Sequence, residues 1–201
     1  DKKVHAVLIT GDVYTSADHN LTAQLDYVRL LHKLAQNDIQ VFAVMGNHDP
    51  LEAWKAKIPF PPNVHIFSTE QVERVPLIVE GEEVADVYGQ SYAKSEQLEN
   101  IAWKFSRSTA DRYAIGMLHT QVGSHQSSYA PCTLTDLKEC GMDYWALGHV
   151  HTYQVLCEKP YIVYAGNPQG LDCTETGARG CCYVEVGPYG TTDIEFMDTS
   201  I

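Results

Sequence analysis

The chain has 201 residues, of which 44% are hydrophobic and 20% are charged. These fractions suit a folded domain of ordinary size and exclude an intrinsically disordered chain. The sequence contains no apolar run near the roughly 20 residues that a membrane-spanning helix needs. Its formal charge of −12 argues against a broad basic surface for nucleic acid, although a bound divalent cation reverses the local field at a phosphate site.

Two apolar runs, over residues 4–10 and 39–45, predict buried strands. Between them, apolar residues recur at helical spacing over residues 21–35, with Asn20 as the N-cap. A strand, a helix and a strand in succession predict a parallel pair in one sheet. The residues that follow the two strands therefore meet at one edge of that sheet: Gly11 and Asp12 after the first, and Gly46, Asn47, His48 and Asp49 after the second.

The rest of the chain predicts mostly strands. Helices are predicted over residues 51–57, over residues 95–105 with Ser95 as the cap, and over residues 133–140. Strands are predicted over residues 64–67, 73–80, 84–89, 112–118, 143–147, 153–157, 161–165, 180–186 and 192–196. An α/β first half followed by a β-rich second half predicts two packed sheets flanked by helices.

Four predicted strand ends carry side chains of metal-binding type: Asp12, Asn47, His119, and the pair His149 and His151. Carboxylate and amide oxygens and imidazole nitrogens are ligands for Mn²⁺, Fe²⁺ and Zn²⁺. A carboxylate can bridge two cations, and two cations clamp the attacking and leaving oxygens of a phosphoryl transfer. Taken singly, a Gly-Asp is usually a turn and a lone histidine is usually structural. Their combination predicts a metal site.

His48 lies between two oxygen-bearing side chains, Asn47 and Asp49. We interpret it as an imidazole that binds the scissile phosphate instead of a metal and protonates the leaving oxygen. Asp49 is predicted to hold His48 in the required tautomer. Four more residues are candidates for the cleft, although packing or surface exposure explains each equally well: Tyr129, Tyr153, Gln169 and His125.

Four short motifs resemble those of the calcineurin-like metallophosphoesterases: GDVY at 11–14, GNHD at 46–49, LHT at 118–120 and GHVH at 148–151. The stretch YAGNPQGLDCTETGARGCCYVEV, residues 164–186, is similar to the segment after the GHxH motif in bacterial DNA-repair exonucleases of the SbcD-like group. The resemblance covers nearly the whole chain. It implies an α/β fold, a four-layer α/β/β/α sandwich.

The resemblance also implies a role for each motif residue. Asp12 would be the bridging carboxylate, and His48 would be the phosphate-contacting catalytic histidine. One metal would be completed by Asn47, His119 and His149, and the other would be served by His151. The implied activity is Mn²⁺-dependent hydrolysis of phosphodiester bonds in DNA, usually beside an ATPase partner. The sequence does not determine the oligomeric state, and a dimer is one of the states open to it.

The sequence departs from the family at its first motif. The family opens with a strand carrying Asp-x-His, which ligates the metal that His151 also serves, and no such motif precedes Asp12. We therefore expect residues 1–201 to form a single metallophosphoesterase core without that first strand and without the C-terminal DNA-binding cap. If Asp1 is the natural first residue, we expect one tightly bound divalent ion and little nuclease activity, whereas an Asp-x-His before Asp1 would restore the two-metal site.

Two other functions remain open on the sequence. One is a phosphodiesterase for small phosphodiesters such as cyclic nucleotides, and the other is a non-catalytic scaffold that keeps the fold. The six cysteines lack the repeating spacing of a secreted disulfide framework. We therefore predict reduced thiols, a cytoplasmic location and no association with membranes.

Overall fold

The computed structural model describes residues 2–53, 55–108, 111–124 and 126–199. Within these ranges the strands are β1 (Ala6–Ile9), β2 (Gln40–Ala43), β3 (Val64–Ile66), β4 (Glu73–Val79), β5 (Glu82–Gly89), β6 (Tyr113–His119), β7 (Tyr144–Gly148), β8 (Gln154–Glu158), β9 (Tyr161–Tyr164), β10 (Gly180–Val186) and β11 (Thr192–Asp198). The helices are α1 (Leu21–Ala35) and α2 (Leu134–Glu139), with short 3-10 helices at Ser16–Asp18 and Ile101–Lys104. No helix in the described ranges is long and apolar enough to cross a membrane.

The first sheet confirms the predicted strand–helix–strand unit. Strands β1, β2 and β3 pair in parallel, in that order, and α1 is the connection between β1 and β2. The helix begins where the sequence predicts, because the Asn20 side chain accepts a hydrogen bond from the Ala23 N–H at 3.0 Å. Its apolar face, with Tyr27 and Leu31, packs on Val41 of β2.

The second sheet has six strands in the order β4-β5-β6-β7-β9-β8. Its four central strands, β5, β6, β7 and β9, are parallel, whereas β4 and β8 are antiparallel at the edges. Strands β10 and β11 form a separate antiparallel hairpin. Parallel strands place their carboxyl ends at the same side, so His119 and Gly148 are paired neighbours at the ends of β6 and β7.

The two faces of β7 show how the layers are stacked. Tyr144 and Ala146 pack between the sheets, in a core that includes Phe42 of β2. Trp145 points to the opposite face, where it packs with Leu137 of α2 and with the Ile101–Lys104 segment. With α1 on the outer face of the first sheet, the order is helix, sheet, sheet, helix. The predicted α/β fold with four layers is confirmed.

Two predicted helices are wrong. The segment 95–105 is helical only at Ile101–Lys104, because the backbone of Gln97 is bound to another loop: its N–H donates to the Ser128 carbonyl at 2.7 Å and its carbonyl accepts from Ala130 at 2.6 Å. Over residues 51–57, the described part forms a turn and irregular backbone. There the N–H groups of Leu51 and Glu52 donate to residues 92 and 93.

Candidate metal centre

The carboxyl ends of β1, β2, β6 and β7 converge on the side chain of His119, which is fully buried. Its Nδ1 lies 2.8 Å from the Thr10 carbonyl oxygen. Its Nε2 lies 2.8 Å from the Asn47 amide oxygen and 3.3 Å from Asp12 Oδ2. Two of the predicted site residues, Asp12 and Asn47, therefore lie against the imidazole of a third, and the three come from three different strand ends.

Three glycines make this convergence sterically feasible. A Cβ on Gly11 would lie 2.7 Å from His119 Nδ1, and one on Gly46 would lie 2.5 Å from His119 Cε1. A Cβ on Gly148 would lie 1.9 Å from the Thr10 carbonyl oxygen. The glycines that open the three motifs are therefore required by close packing around His119, as well as by any need for a turn.

The hydrogen bonds fix the tautomer of His119. A carbonyl oxygen only accepts, so Nδ1 carries the proton and donates to Thr10. In the neutral ring, Nε2 then presents a lone pair to the oxygens of Asn47 and Asp12. Three acceptor atoms that converge in this way repel one another unless a positive charge lies among them. This set of donors fits a divalent cation.

His149 completes the cluster. Its Nδ1 lies 3.2 Å from the Asn47 amide oxygen, and ligand atoms of Asp12, His119 and His149 all lie within 4.8 Å of one another. Burial, and secondly the neighbouring His119, lowers the pKa of His149 to about 4. The imidazole is therefore neutral near pH 7, with a lone pair available for a metal.

The backbone is strained at two residues of the cluster. Asp12 has a φ of 57° and His149 has a φ of 95°, values that residues with a side chain seldom adopt. Such conformations cost about 1–3 kcal/mol each and persist where the surrounding structure enforces them. Here the strain accompanies side chains that are aimed at a common point.

Asp12 is held as an anion. Burial acts to raise the pKa of Asp12. In the metal-free site a hydrogen bond and the charge of a doubly protonated His119, together with the His48 N–H, outweigh burial and hold that pKa below its usual value, and a cation among the donors would act in the same direction. Its Oδ1 accepts the N–H of His48 at 2.8 Å. Oδ2 is thereby left facing His119.

Asp49 makes hydrogen bonds that the sequence does not predict. Its carboxylate is 2% exposed and accepts three backbone N–H groups, from Asp12 at 3.0 Å, Val13 at 2.8 Å and Gly46 at 2.7 Å. Burial raises the pKa of Asp49, and these hydrogen bonds oppose the rise. The residue ties the loop after β1 to the loop after β2. The hydrogen bonds of the described residues place it against backbone and not against the His48 imidazole, and a catalytic role for Asp49 stays a prediction.

His48 is exposed beside the cluster. Its backbone is fixed on both sides, because its N–H donates to Asp12 and its carbonyl accepts the N–H of Ser16 at 2.8 Å. The loop is therefore held in place while the imidazole remains accessible to a substrate.

His151 lies outside the cluster, within the part of the chain that the structure describes. Its Nδ1 is 2.5 Å from Glu175 Oε1, a partner that sequence analysis missed. The bond with His151, and secondly one from Asn167, lowers the pKa of Glu175 to about 2. Its position inside the 164–186 stretch was the only feature of the sequence that pointed to this carboxylate.

Of the other cleft candidates, Tyr129 contacts the cluster, whereas Tyr153 and Gln169 have different surroundings. The ring of Tyr129 packs on His149 with centroids 4.5 Å apart. Tyr153 instead stacks on Phe196 at 4.7 Å, and Gln169 is exposed. His125 lies outside the described residues.

Comparisons with known proteins agree with this geometry. Residues 1–153, which include every residue of the cluster, match the calcineurin-like phosphoesterase family. The chain is also 41% identical over 186 residues to the uncharacterized metallophosphoesterase YhaO of Bacillus subtilis (strain 168), which covers 91% of this chain and 46% of that protein. The chain thus spans about half the length of this curated relative. It belongs to the calcineurin-like phosphoesterase family, a family of metal-dependent phosphoester hydrolases.

Proposed function

We propose that this protein is a Mn²⁺-dependent phosphodiesterase that acts on DNA, as an exonuclease or endonuclease of double-strand-break repair. The observation that carries the hydrolytic part is the convergence of Asp12, His119 and His149 ligand atoms within 4.8 Å. The choice of DNA rests on the similarity of residues 164–186 to the SbcD-like exonucleases.

The side chains that would hold the metal are Asp12, Asn47, His119 and His149, and a second metal would be served by His151. Mixed imidazole, carboxylate and amide oxygen donors suit Mn²⁺, Fe²⁺ or Zn²⁺. A divalent cation held there supplies positive charge to the phosphate oxygens and lowers the pKa of the attacking water. The buried donors keep this charge next to the exposed His48.

His48 acts as the general acid in this proposal. Its imidazole lies exposed at the rim of the cluster on a loop that is anchored through Asp12 and Ser16. A histidine in that position binds a phosphate oxygen and gives a proton to the leaving oxygen. Such proton transfer typically contributes 10²–10⁴-fold to the rate.

The test compares His48→Ala with His32→Ala, a matched change at an exposed histidine on α1. We expect His48→Ala to lower the kcat for Mn²⁺-dependent cleavage of linear duplex DNA by roughly 10²–10⁴-fold while Mn²⁺ affinity stays unchanged. His32→Ala should leave both quantities at their wild-type values. Full activity in His48→Ala would contradict the assignment.

A second substrate class is favoured by one observation, the formal charge of −12, which repels the DNA backbone outside the metal centre. Small phosphodiesters and cyclic nucleotides carry less charge and need no extended basic surface. Turnover of a linear duplex and of bis(p-nitrophenyl) phosphate, measured at equal Mn²⁺, separates the two classes. Hydrolysis of the small diester alone would replace DNA as the substrate, and hydrolysis of neither would favour the scaffold.

We also propose a cytoplasmic setting and an ATPase partner subunit, with a dimer as the assembly. All six cysteines are free, which accords with a reducing compartment. Co-purification with an ATPase from the natural host, and the mass of the isolated protein in solution, test the partner and the dimer.

A further inference from the structure

We propose that Glu175 is a positioning residue: its carboxylate holds His151 in the tautomer that carries the proton on Nδ1, so that Nε2 offers a lone pair to a second divalent cation. This inference rests on the proposed function. It goes beyond that function by assigning the loop after β9 a part in building the outer side of the metal centre.

The contact between the two side chains is short and direct. Nδ1 of His151 lies 2.5 Å from Oε1 of Glu175. A carboxylate accepts and cannot donate when it is ionised, so the proton belongs to Nδ1. Hydrogen bonds with an ionised acceptor are shorter and roughly twice as strong as neutral ones.

Glu175 is itself held in place. Its second oxygen, Oε2, accepts the Asn167 side-chain N–H at 2.8 Å and the Leu171 backbone N–H at 3.0 Å. The carboxylate therefore has a fixed direction, and its side chain is only 18% exposed. A free surface carboxylate would have no such set of donors.

The buried Arg179 joins the same network. It donates to the Asn167 side-chain oxygen at 2.8 Å and also to the backbone carbonyl of His151. His151 is thus held at its carbonyl by Arg179 and at its ring by Glu175. Both its backbone and its imidazole are anchored by residues of one loop.

The tautomer decides whether His151 can bind a metal through Nε2. A neutral imidazole has one N–H, and the hydrogen bond made by one nitrogen determines the state of the other. When Nδ1–H donates to Glu175, Nε2 is unprotonated and carries a lone pair. Without the carboxylate, the proton is free to move to Nε2, where it would face a cation and block coordination. Loss of such a carboxylate partner typically weakens metal binding about 10–100-fold.

The experiment uses Glu175→Ala, which leaves no side-chain acceptor for Nδ1–H, with Asp172→Ala as the matched control. Asp172 is an exposed carboxylate of the same loop whose side chain accepts hydrogen bonds from Thr174, so its alanine variant removes the same charge without touching an imidazole. The first readout is the imidazole tautomer in the metal-free protein, from ¹⁵N NMR, with the His151 signals assigned by their loss in His151→Ala. Wild type and Asp172→Ala should show protonated Nδ1, and Glu175→Ala should lose it.

The second readout is Mn²⁺ affinity by calorimetric titration. His151→Ala identifies the part of the binding that depends on this imidazole. We expect Glu175→Ala to weaken that part by about 10–100-fold and Asp172→Ala to leave it unchanged. The inference is overturned if Glu175→Ala keeps the wild-type tautomer, if it binds Mn²⁺ as Asp172→Ala does, or if His151→Ala binds Mn²⁺ as tightly as wild type.

Failure of the proposed function looks different. In that case wild-type protein hydrolyses neither duplex DNA nor a small phosphodiester, whatever the NMR spectra and titrations show. Failure of this inference alone leaves wild-type turnover intact and makes Glu175→Ala equal to Asp172→Ala in tautomer, Mn²⁺ affinity, kcat and KM.

Discussion

The two halves of the candidate site are built in different ways. The inner half, Asp12, Asn47, His119 and His149, comes from strand ends of two sheets and is fixed largely by backbone groups and glycines. The outer half, His151 and Glu175 with Asn167 and Arg179, is fixed mainly by contacts between side chains across one loop. The geometry of the inner half is therefore determined by how the sheets pack, whereas the geometry of the outer half is determined by contacts among four side chains.

This difference has a physical consequence. Backbone contacts at the inner half have no room for added atoms, so even a methyl group must move a strand. Side-chain contacts at the outer half lie on a loop that can adjust. Stability should therefore depend strongly on the inner half, and the outer half should affect metal binding without much effect on folding.

The largest expected effect is that of Gly148→Ala. The added Cβ would lie 1.9 Å from the Thr10 carbonyl oxygen, a backbone atom that cannot rotate away. We expect the free energy of unfolding to fall by about 3 kcal/mol, the upper end of the usual range for overpacking. Urea denaturation of the metal-free protein measures this change.

Gly170→Ala is the matched change in the outer loop. There the nearest atom to an added Cβ is the Glu175 carbonyl oxygen at 3.2 Å, so a shift of a few tenths of an ångström accommodates the methyl group. Unfolding free energy should change by less than about 1 kcal/mol. Equal losses in the two variants would erase the proposed contrast in rigidity.

The second effect concerns metal affinity and strain. His149→Gly removes an imidazole of the inner half and at the same time relieves a positive φ of 95°. We expect Mn²⁺ binding to weaken at least about 100-fold, near 2.8 kcal/mol. The metal-free protein should keep its stability to within about 1 kcal/mol, because relief of backbone strain offsets the lost packing.

His151→Ala is the corresponding change in the outer half. It should leave binding of the first, tightest Mn²⁺ ion unchanged and weaken only binding of the second, as calorimetric titrations of this variant and of His149→Gly under the same conditions would show. If His151→Ala removed the tightest ion and His149→Gly did not, the assignment of inner and outer halves would have to be exchanged.

The third effect tests Asp49 as a link between loops. The asparagine oxygen can accept two N–H groups but its NH₂ only donates, so Asp49→Asn leaves at least one of the three backbone N–H groups without an acceptor. We expect a loss of about 2 kcal/mol in unfolding free energy, measured by thermal and urea denaturation. Asp172→Asn, in the outer loop, should change it by less than about 0.5 kcal/mol. Wild-type stability in Asp49→Asn would show that the three N–H groups have other partners.

The strand ends that carry the inner half can be located from the sequence because local patterns determine them. Apolar runs ending in glycine and a polar residue mark these ends, and parallel pairing within the first sheet places Asp12 near Asn47. His119 joins them because the second sheet packs on the first, which no local pattern determines. Helix α1 has the predicted bounds, Leu21–Ala35, because its cap and its apolar spacing are both local features.

The outer half and the wrong helices share the opposite property. Glu175 meets His151 across 24 residues, through a loop with no periodic pattern, so no local feature identifies the pair. Gln97 leaves its predicted helix because its backbone pairs with the segment around Tyr129. Contacts made by distant segments override local preference at both places.

The smallest effect separates ring packing at the candidate metal centre from ring packing elsewhere. Tyr129→Leu removes the ring that packs on His149 at 4.5 Å, and Tyr153→Leu removes one that stacks on Phe196 at 4.7 Å. Each should lower the unfolding free energy by about 1 kcal/mol, since aromatic pairs contribute 0.5–1.5 kcal/mol. Only Tyr129→Leu should also weaken Mn²⁺ binding, about fivefold by the same energy, because only this ring restrains an inner imidazole. If both variants weakened Mn²⁺ binding alike, general loosening of the fold would explain the loss, and the inner half would owe its geometry to overall stability instead of to its immediate contacts.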